Sequence, residues 1–365
     1  MIAHPEGRHW GLPQHSPMLN EVELSVTGER SSSETMMRRW SILNLLGWLL
    51  TLVCALPAPD AAIKPTNVRV GLPGRLSSNW PLYVGAERGF FTQEGLNVEL
   101  IAMRNATIQV QALIAGDLQF NHSSVDSTAR AFTAGAPLRV VGSAQQKPSF
   151  RLLVGKDVND WGSLRGKFVA AGAPGGLTHA LLAAMLDAHG LKKGDYDILS
   201  MGLDSDRSNA LKAGRVHATL LIQPADFGLL EEGFRSMGFV GDFLKDCEYN
   251  GYVVNDKWAK DNSATAVAFM RAVLRSLNWL HNPANRDEAV RIHARYIPFK
   301  AEWLEKIHDM LVREKMLSMN GRPNAKGIEN LLQISVKYGT GMSAVPPLDK
   351  WVDLTYLEQA AATLK

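Results

Sequence analysis

Five short segments of this chain gather the residue types that hold a small molecule. They are Ser77-Ser78-Asn79-Trp80, Arg104-Asn105-Ala106-Thr107, His122-Ser123-Ser124-Val125-Asp126, Gly172-Ala173-Pro174-Gly175-Gly176-Leu177-Thr178 and Gly202-Leu203-Asp204-Ser205. Hydroxyls, amides and glycines let backbone N–H groups approach a ligand, and they also cap the helix that follows. Each segment alone is what any helix start wants. Together they fall at the carboxyl ends of strands, the edge of a parallel sheet where ligands bind. The candidate contacts are therefore Ser77, Ser78, Asn79, Trp80, Arg104, Asn105, Thr107, Ser123, Ser124, Asp126, Gly175, Gly176, Thr178 and Asp204, joined by Gln223 just past a strand at 216–222.

The side chains in these segments point to binding and not to bond-making. Trp80 either stacks on a planar ligand or fills the core under Tyr83. Arg104 suits bidentate pairing with a carboxylate or sulfonate. Asp126, at a helix head where the dipole favours a carboxylate, suits an amine or hydroxyl donor instead. The two pull in opposite chemical directions. The glycine spacing at 172–178 is not that of a dinucleotide fingerprint. Neither Gly-x-Ser-x-Gly nor His-Glu-x-x-His occurs, and His179, His189, His217, His281, His293 and His308 lack metal-ligand spacing. No catalytic residue, metal site or cofactor is expected.

The elements that must position these segments alternate as strand, loop and helix. Strands are expected at 68–72, 95–101, 118–121 and 138–141, with a helix at 126–134. A crossing strand at 150–154 leads to a second unit with strands at 167–171, 196–201 and 216–222 and helices at 177–189 and 206–213. A return strand at 251–255 precedes helices at 256–280, 286–295, 301–317, 325–338 and 348–364. Helices end alike at Ala115-Gly116 and Ala213-Gly214, each followed by a strand. The expected fold class is α/β and two-lobed. Lobe 1 takes 67–154 plus 250–365 and lobe 2 takes 155–249, with a ligand cleft between them and extra C-terminal helices.

Residues 81–98, Pro-Leu-Tyr-Val-Gly-Ala-Glu-Arg-Gly-Phe-Phe-Thr-Gln-Glu-Gly-Leu-Asn-Val, carry a family signature. This wording resembles the opening of the nitrate/sulfonate/taurine-type substrate-binding proteins of ABC importers, a group that also includes binders of thiamine-pyrimidine precursors. Ala112-Leu113-Ile114-Ala115-Gly116 and the stretch 131–141 continue the match. Gly85 departs from it, since many members carry Ala there, a change expected to matter little. The resemblance implies the type II periplasmic-binding arrangement. It also implies capture of a small solute by lobe closure, transport by an inner-membrane ABC permease, and a monomer. Sulfonates, nitrate, pyrimidine precursors and aromatic carboxylates all remain open as solutes. The alternatives are a ligand-sensing domain for a membrane receptor, or an enzyme similar to the thiamine-pyrimidine synthases. The synthase pattern includes a cysteine cluster that this chain lacks.

Composition agrees with a globular solute binder. The chain has 365 residues, 46% hydrophobic and 21% charged, with a net charge of +3. Its Lys and Arg are scattered, which argues against a nucleic-acid partner. Met36-Met37-Arg38-Arg39 and the apolar run after it read as a signal peptide over 36–58, with delivery to the periplasm. Residues 1–35 then read as an untranslated or disordered extension. Cys54 is a poor lipidation site, and once it is removed Cys247 has no partner.

Overall fold

The computed structural model describes residues 64–103, 106–244, 246–339 and 341–364. The signal segment, the extension before it, Cys54, Arg104 and Asn105 lie outside the described residues.

Ten strands form two five-stranded sheets. The first sheet contains β1 (Thr66–Leu72), β2 (Leu96–Ala102), β3 (Phe120–Ser124), β4 (Leu138–Gln145) and β10 (Asn250–Asn255), in the order β2-β1-β3-β10-β4. The second contains β5 (Arg151–Val154), β6 (Lys167–Ala171), β7 (Tyr196–Ser200), β8 (Ala218–Leu221) and β9 (Arg235–Phe239), in the order β7-β6-β8-β5-β9. The core strands β1, β2 and β3 run parallel, as do β6, β7 and β8. One strand in each sheet opposes that grain. β10 is antiparallel to β3 and β4, and β5 is antiparallel to β8 and β9. These are the first strands laid down after each passage between sheets, so both crossings deliver the chain into the middle of a sheet. The two sheets and two crossings make the mixed α/β, two-lobed arrangement expected from the sequence.

Several expected elements differ, among them the helix 348–364, which is a 3₁₀ turn at Leu348–Lys350 and a helix at Thr355–Ala362. The third strand runs to Ser124 and leads directly into the helix Val125–Thr133, so no loop separates them. The cause is β10, which pairs Asn250 to Ser124 through Val254 to Phe120 and keeps His122 and Ser123 in the ladder. The expected helix 256–280 is two helices, Asp256–Asp261 and Ser263–His281, because Asn262 leaves helical geometry at φ −127° and ψ 39°. The expected helix 301–317 stops at His308 and continues as a π turn, Asp309–Arg313. β9 was not expected at all: Arg-Ser-Met-Gly-Phe has little strand propensity and is extended by its pairing with β5.

The largest core cluster joins alternate residues of β1 (Val68, Val70, Leu72) to the helices Trp80–Glu87 and Ser263–His281. Trp80 is fully buried there. Its Nε1 donates to Ala289 O at 3.1 Å, and its ring lies 4.2 Å from that of His293. Trp80 therefore fills the core and offers no stacking face to a ligand. No helix among the described residues is long and apolar enough to cross a membrane.

Candidate functional site

The two passages between the sheets touch. The first joins β4 to β5 and the second joins β9 to β10, and Tyr249 N donates to Gln145 O at 3.0 Å between them. Around this contact lies a small cavity. Leu76, Ser77 and Ser78 wall it from the turn after β1, Gln145 and Ser149 from the first crossing, and Tyr249 from the second. Ile222 and Gln223, just past β8, close it from the other sheet, and Leu311 of the π turn covers it. Its volume is about 10 Å³, room for one water. Anything larger requires the two sheets to move apart.

The turn after β1 is rigidly held. Asn79 is buried, and its Nδ2 donates to Gly74 O at 2.8 Å and to Tyr83 Oη at 3.1 Å. Its Oδ1 can only accept, so the 2.5 Å contact with His122 assigns the ring proton to Nδ1. Burial holds the His122 pKa down at about 3, which keeps the imidazole neutral. Asn79 thus positions Ser77 and Ser78. The Ser77 hydroxyl is buried and has no hydrogen-bond partner. A hydroxyl left unpaired in a protein interior costs free energy, so its retention at a cavity wall makes it a candidate ligand contact.

Two carboxylates back the wall on the second sheet, each matched by a guanidinium. Asp226 is buried and receives Arg151 Nε at 2.7 Å and Gln223 Nε2 at 3.1 Å. Asp204 pairs with Arg207 and accepts from Ile222 N at 3.4 Å. Arg207 is itself buried and also donates to Met201 O and Gly202 O. Burial raises the Asp204 pKa above the usual carboxylate range, and Arg207 opposes that.

Of the expected contacts, Ser77, Ser78 and Gln223 line the cavity, with Asn79 and Asp204 directly behind. Ser123 is buried with an unpartnered hydroxyl. Ser124 caps the helix Val125–Thr133, accepting from Ser127 N at 3.2 Å. Asp126 is buried against Arg130 at 2.6 Å, and burial raises its pKa. Thr107 opens onto a different groove, shared with Val110 and Ala131. Thr178 folds its loop on itself, Oγ1 accepting from Gly172 N at 2.9 Å. In that loop Gly175 takes φ 66°, and its carbonyl lies beside Gly339, on the helix Ala325–Tyr338 side of the molecule. Gly176 caps the next helix.

Gln145, Ser149, Tyr249 and Leu311 were missed. Ser149 and Tyr249 sit in the connections between sheets, Gln145 ends β4 and Leu311 belongs to the π turn, so none of them follows a strand into a helix. The signal available was position: any residue of a crossing segment must lie near both lobes.

Comparison with known proteins completes the picture. The NMT1/THI5-like family profile matches residues 77–286. A Bacillus subtilis protein named provisionally as a binding protein, YtlA, is 22% identical over 272 residues, covering 73% of this chain and 81% of YtlA. A 4-amino-5-hydroxymethyl-2-methylpyrimidine phosphate synthase of Uromyces fabae is 22% identical over 209 residues, covering 53% of this chain and 60% of that protein. Among solved structures, the periplasmic nitrate-binding protein NrtA of Synechocystis PCC 6803 superposes with a TM-score of 0.69 at 18% identity, over 85% of this chain and 90% of that one.

Proposed function

The chain belongs to the NMT1/THI5-like family, and from that premise we propose that it is the solute-binding component of an ABC importer. It captures a small organic or oxyanion solute of the sulfonate, nitrate or pyrimidine-precursor class by closing two lobes around it. Lobe 1 comprises 67–154 plus 250–365 and lobe 2 comprises 155–249. The observation that carries this reading is the cavity at the touching crossings, walled from both sheets by hydroxyl and amide side chains. Two crossings act as a hinge. In the open form the polar groups of each lobe are hydrated; in the closed form both lobes contact one solute, which shifts the population toward closure. Ser77, Ser78 and Gln223 hold the solute, and Asn79 orients the turn that presents them. The partner is the importer's inner-membrane permease, the compartment is the periplasm, and the working form is a monomer.

The synthase relative favours an enzyme as second reading. Against it stands Cys247: the thiol is buried and its pKa is pushed up, so it offers no thiolate nucleophile.

A thermal-shift screen against alkylsulfonates, nitrate, carboxylates and pyrimidines tests the proposal. A true ligand at a hundred times its Kd stabilises by about 2.7 kcal/mol, a rise of about 2–4 °C in Tm for this size. Loss of the rise in Gln223→Ala locates the site, and turnover of a pyrimidine precursor would favour the enzyme.

A further inference from the structure

Among the described residues, the wall of the cavity carries no charge. Ser77, Ser78, Gln145, Ser149, Gln223 and Tyr249 supply its polar groups, and the remainder is aliphatic. Arg75, in the turn after β1, is exposed and outside the lining, and the guanidiniums on the second-sheet side are already paired. Arg151 is engaged by Asp226 at 2.7 Å, and Arg207 is buried against Asp204 and backbone carbonyls. Each carboxylate in turn touches a wall residue, Asp226 through Gln223 Nε2 and Asp204 through Ile222 N.

Oxyanions are held by charged or bidentate donors, above all an unpaired guanidinium fork. A nitrate or sulfonate in this cavity would leave water and meet only hydroxyl and amide dipoles, because the two ion pairs behind the wall carry no net charge. The desolvation of a charge without a countercharge is a heavy penalty. A neutral solute pays far less, and it can satisfy the Ser77 hydroxyl, which is 6% exposed and unpartnered.

We infer that this cleft selects an uncharged, hydrogen-bonding solute and rejects anions of the same shape. The inference rests on the solute-capture reading and narrows it. Discrimination comes from what the wall withholds from an anion as much as from what it offers a neutral molecule.

Matched pairs that differ in charge test it: methanesulfonamide against methanesulfonate, nicotinamide against nicotinate, and orotamide against orotate. Each is titrated calorimetrically into the purified protein. The expected result is that in every pair that binds, the uncharged member binds at least about tenfold tighter. Its Kd also changes less than about twofold between low and high salt, as screening acts only on charges. An anion binding tighter than its neutral partner overturns the inference and leaves solute capture standing. Binding by no member of any pair counts against capture itself, and the inference falls with it.

Discussion

The indole Nε1–H of Trp303 donates to a carboxylate oxygen of Glu231 at 2.7 Å, and Lys300 Nζ donates to the other oxygen at 2.7 Å. Glu231 ends the helix Ala225–Glu231, which follows β8 of the second sheet. Trp303 lies on the helix Ala301–His308, whose Leu304 and Ile307 pack into the core of the first sheet. The Phe227 ring meets the Trp303 ring edge-on at 6.0 Å beside this contact. The pair therefore ties the two halves together away from the crossings, and on the solute-capture reading it holds the closed form.

Glu231→Gln and Trp303→Phe should both loosen this tie. Glu231 and Lys300 are substantially exposed, so the ion pair is weak and the effect is modest. The ratio of closed to open protein should fall about two- to fivefold. Small-angle scattering of the unliganded variants should report a larger radius of gyration. An unchanged profile in both variants would mean that the tie does not govern closure.

Glu248 should give stability an inverse dependence on pH. It lies in the second crossing, fully buried, and accepts from Ser143 Oγ at 2.5 Å and from Asn324 N at 2.8 Å. Burial pushes its pKa up to about 8 from an ordinary 4.5. Below about pH 4.5 the carboxyl is protonated in both folded and unfolded chains, and its stabilising contribution is complete. As pH rises through about 8 the unfolded chain has already released the proton that the folded chain retains, so that contribution is lost. The loss is on the order of 5 kcal/mol. Glu248→Gln can still accept from Asn324 N and does not titrate, so the wild-type urea midpoint measured relative to it should fall over the same range, a difference that cancels the shared contribution of buried histidines such as His122. A wild-type midpoint that holds or rises with pH relative to that of Glu248→Gln would contradict the assignment.

Gly85→Ala tests a contact that sequence reading passed over. A β-carbon there would stand 2.6 Å from Phe91 Cε2 and 2.8 Å from Ser276 Oγ, where the helix Trp80–Glu87 meets Ser263–His281. Alanine gains about 1 kcal/mol of helix propensity, and overpacking costs about 1–3 kcal/mol. Net destabilisation of about 1 kcal/mol is expected in urea unfolding. The departure from the family's usual alanine thus matters more than expected, because Phe91 and Ser276 have filled the space.

How much was legible follows from which interactions are local. The helix Ala325–Tyr338 was read with its observed bounds, because Asn324 caps it and its apolar spacing is regular. The parallel strands were legible from their β-branched runs. β9 and the extension of β3 were not, since each is made by a partner strand distant in sequence. Within the site, Ser77, Ser78 and Gln223 were found because they follow strands. Tyr249 and Leu311 were not, because a crossing and a π turn carry no periodic signal. Trp80 was ambiguous until His293 and Ala289, over two hundred residues away, supplied its neighbours.

Ser77→Ala separates binding from folding at the candidate site. The Ser77 hydroxyl has no partner in the protein, so its removal leaves nothing newly unpaired, and the unfolding midpoint should hold or rise slightly. On the solute-capture reading the same hydroxyl hydrogen-bonds the solute, and its loss should weaken affinity by about five- to tenfold, the worth of one such bond. Ser163→Ala serves as a comparison, since that hydroxyl donates to Asp160 in an exposed turn. A calorimetric titration in which Ser77→Ala binds as tightly as wild type would remove Ser77 from the site. Weakened binding with unchanged stability would fix the turn after β1 as one jaw of the cleft, facing Gln223 from the other lobe.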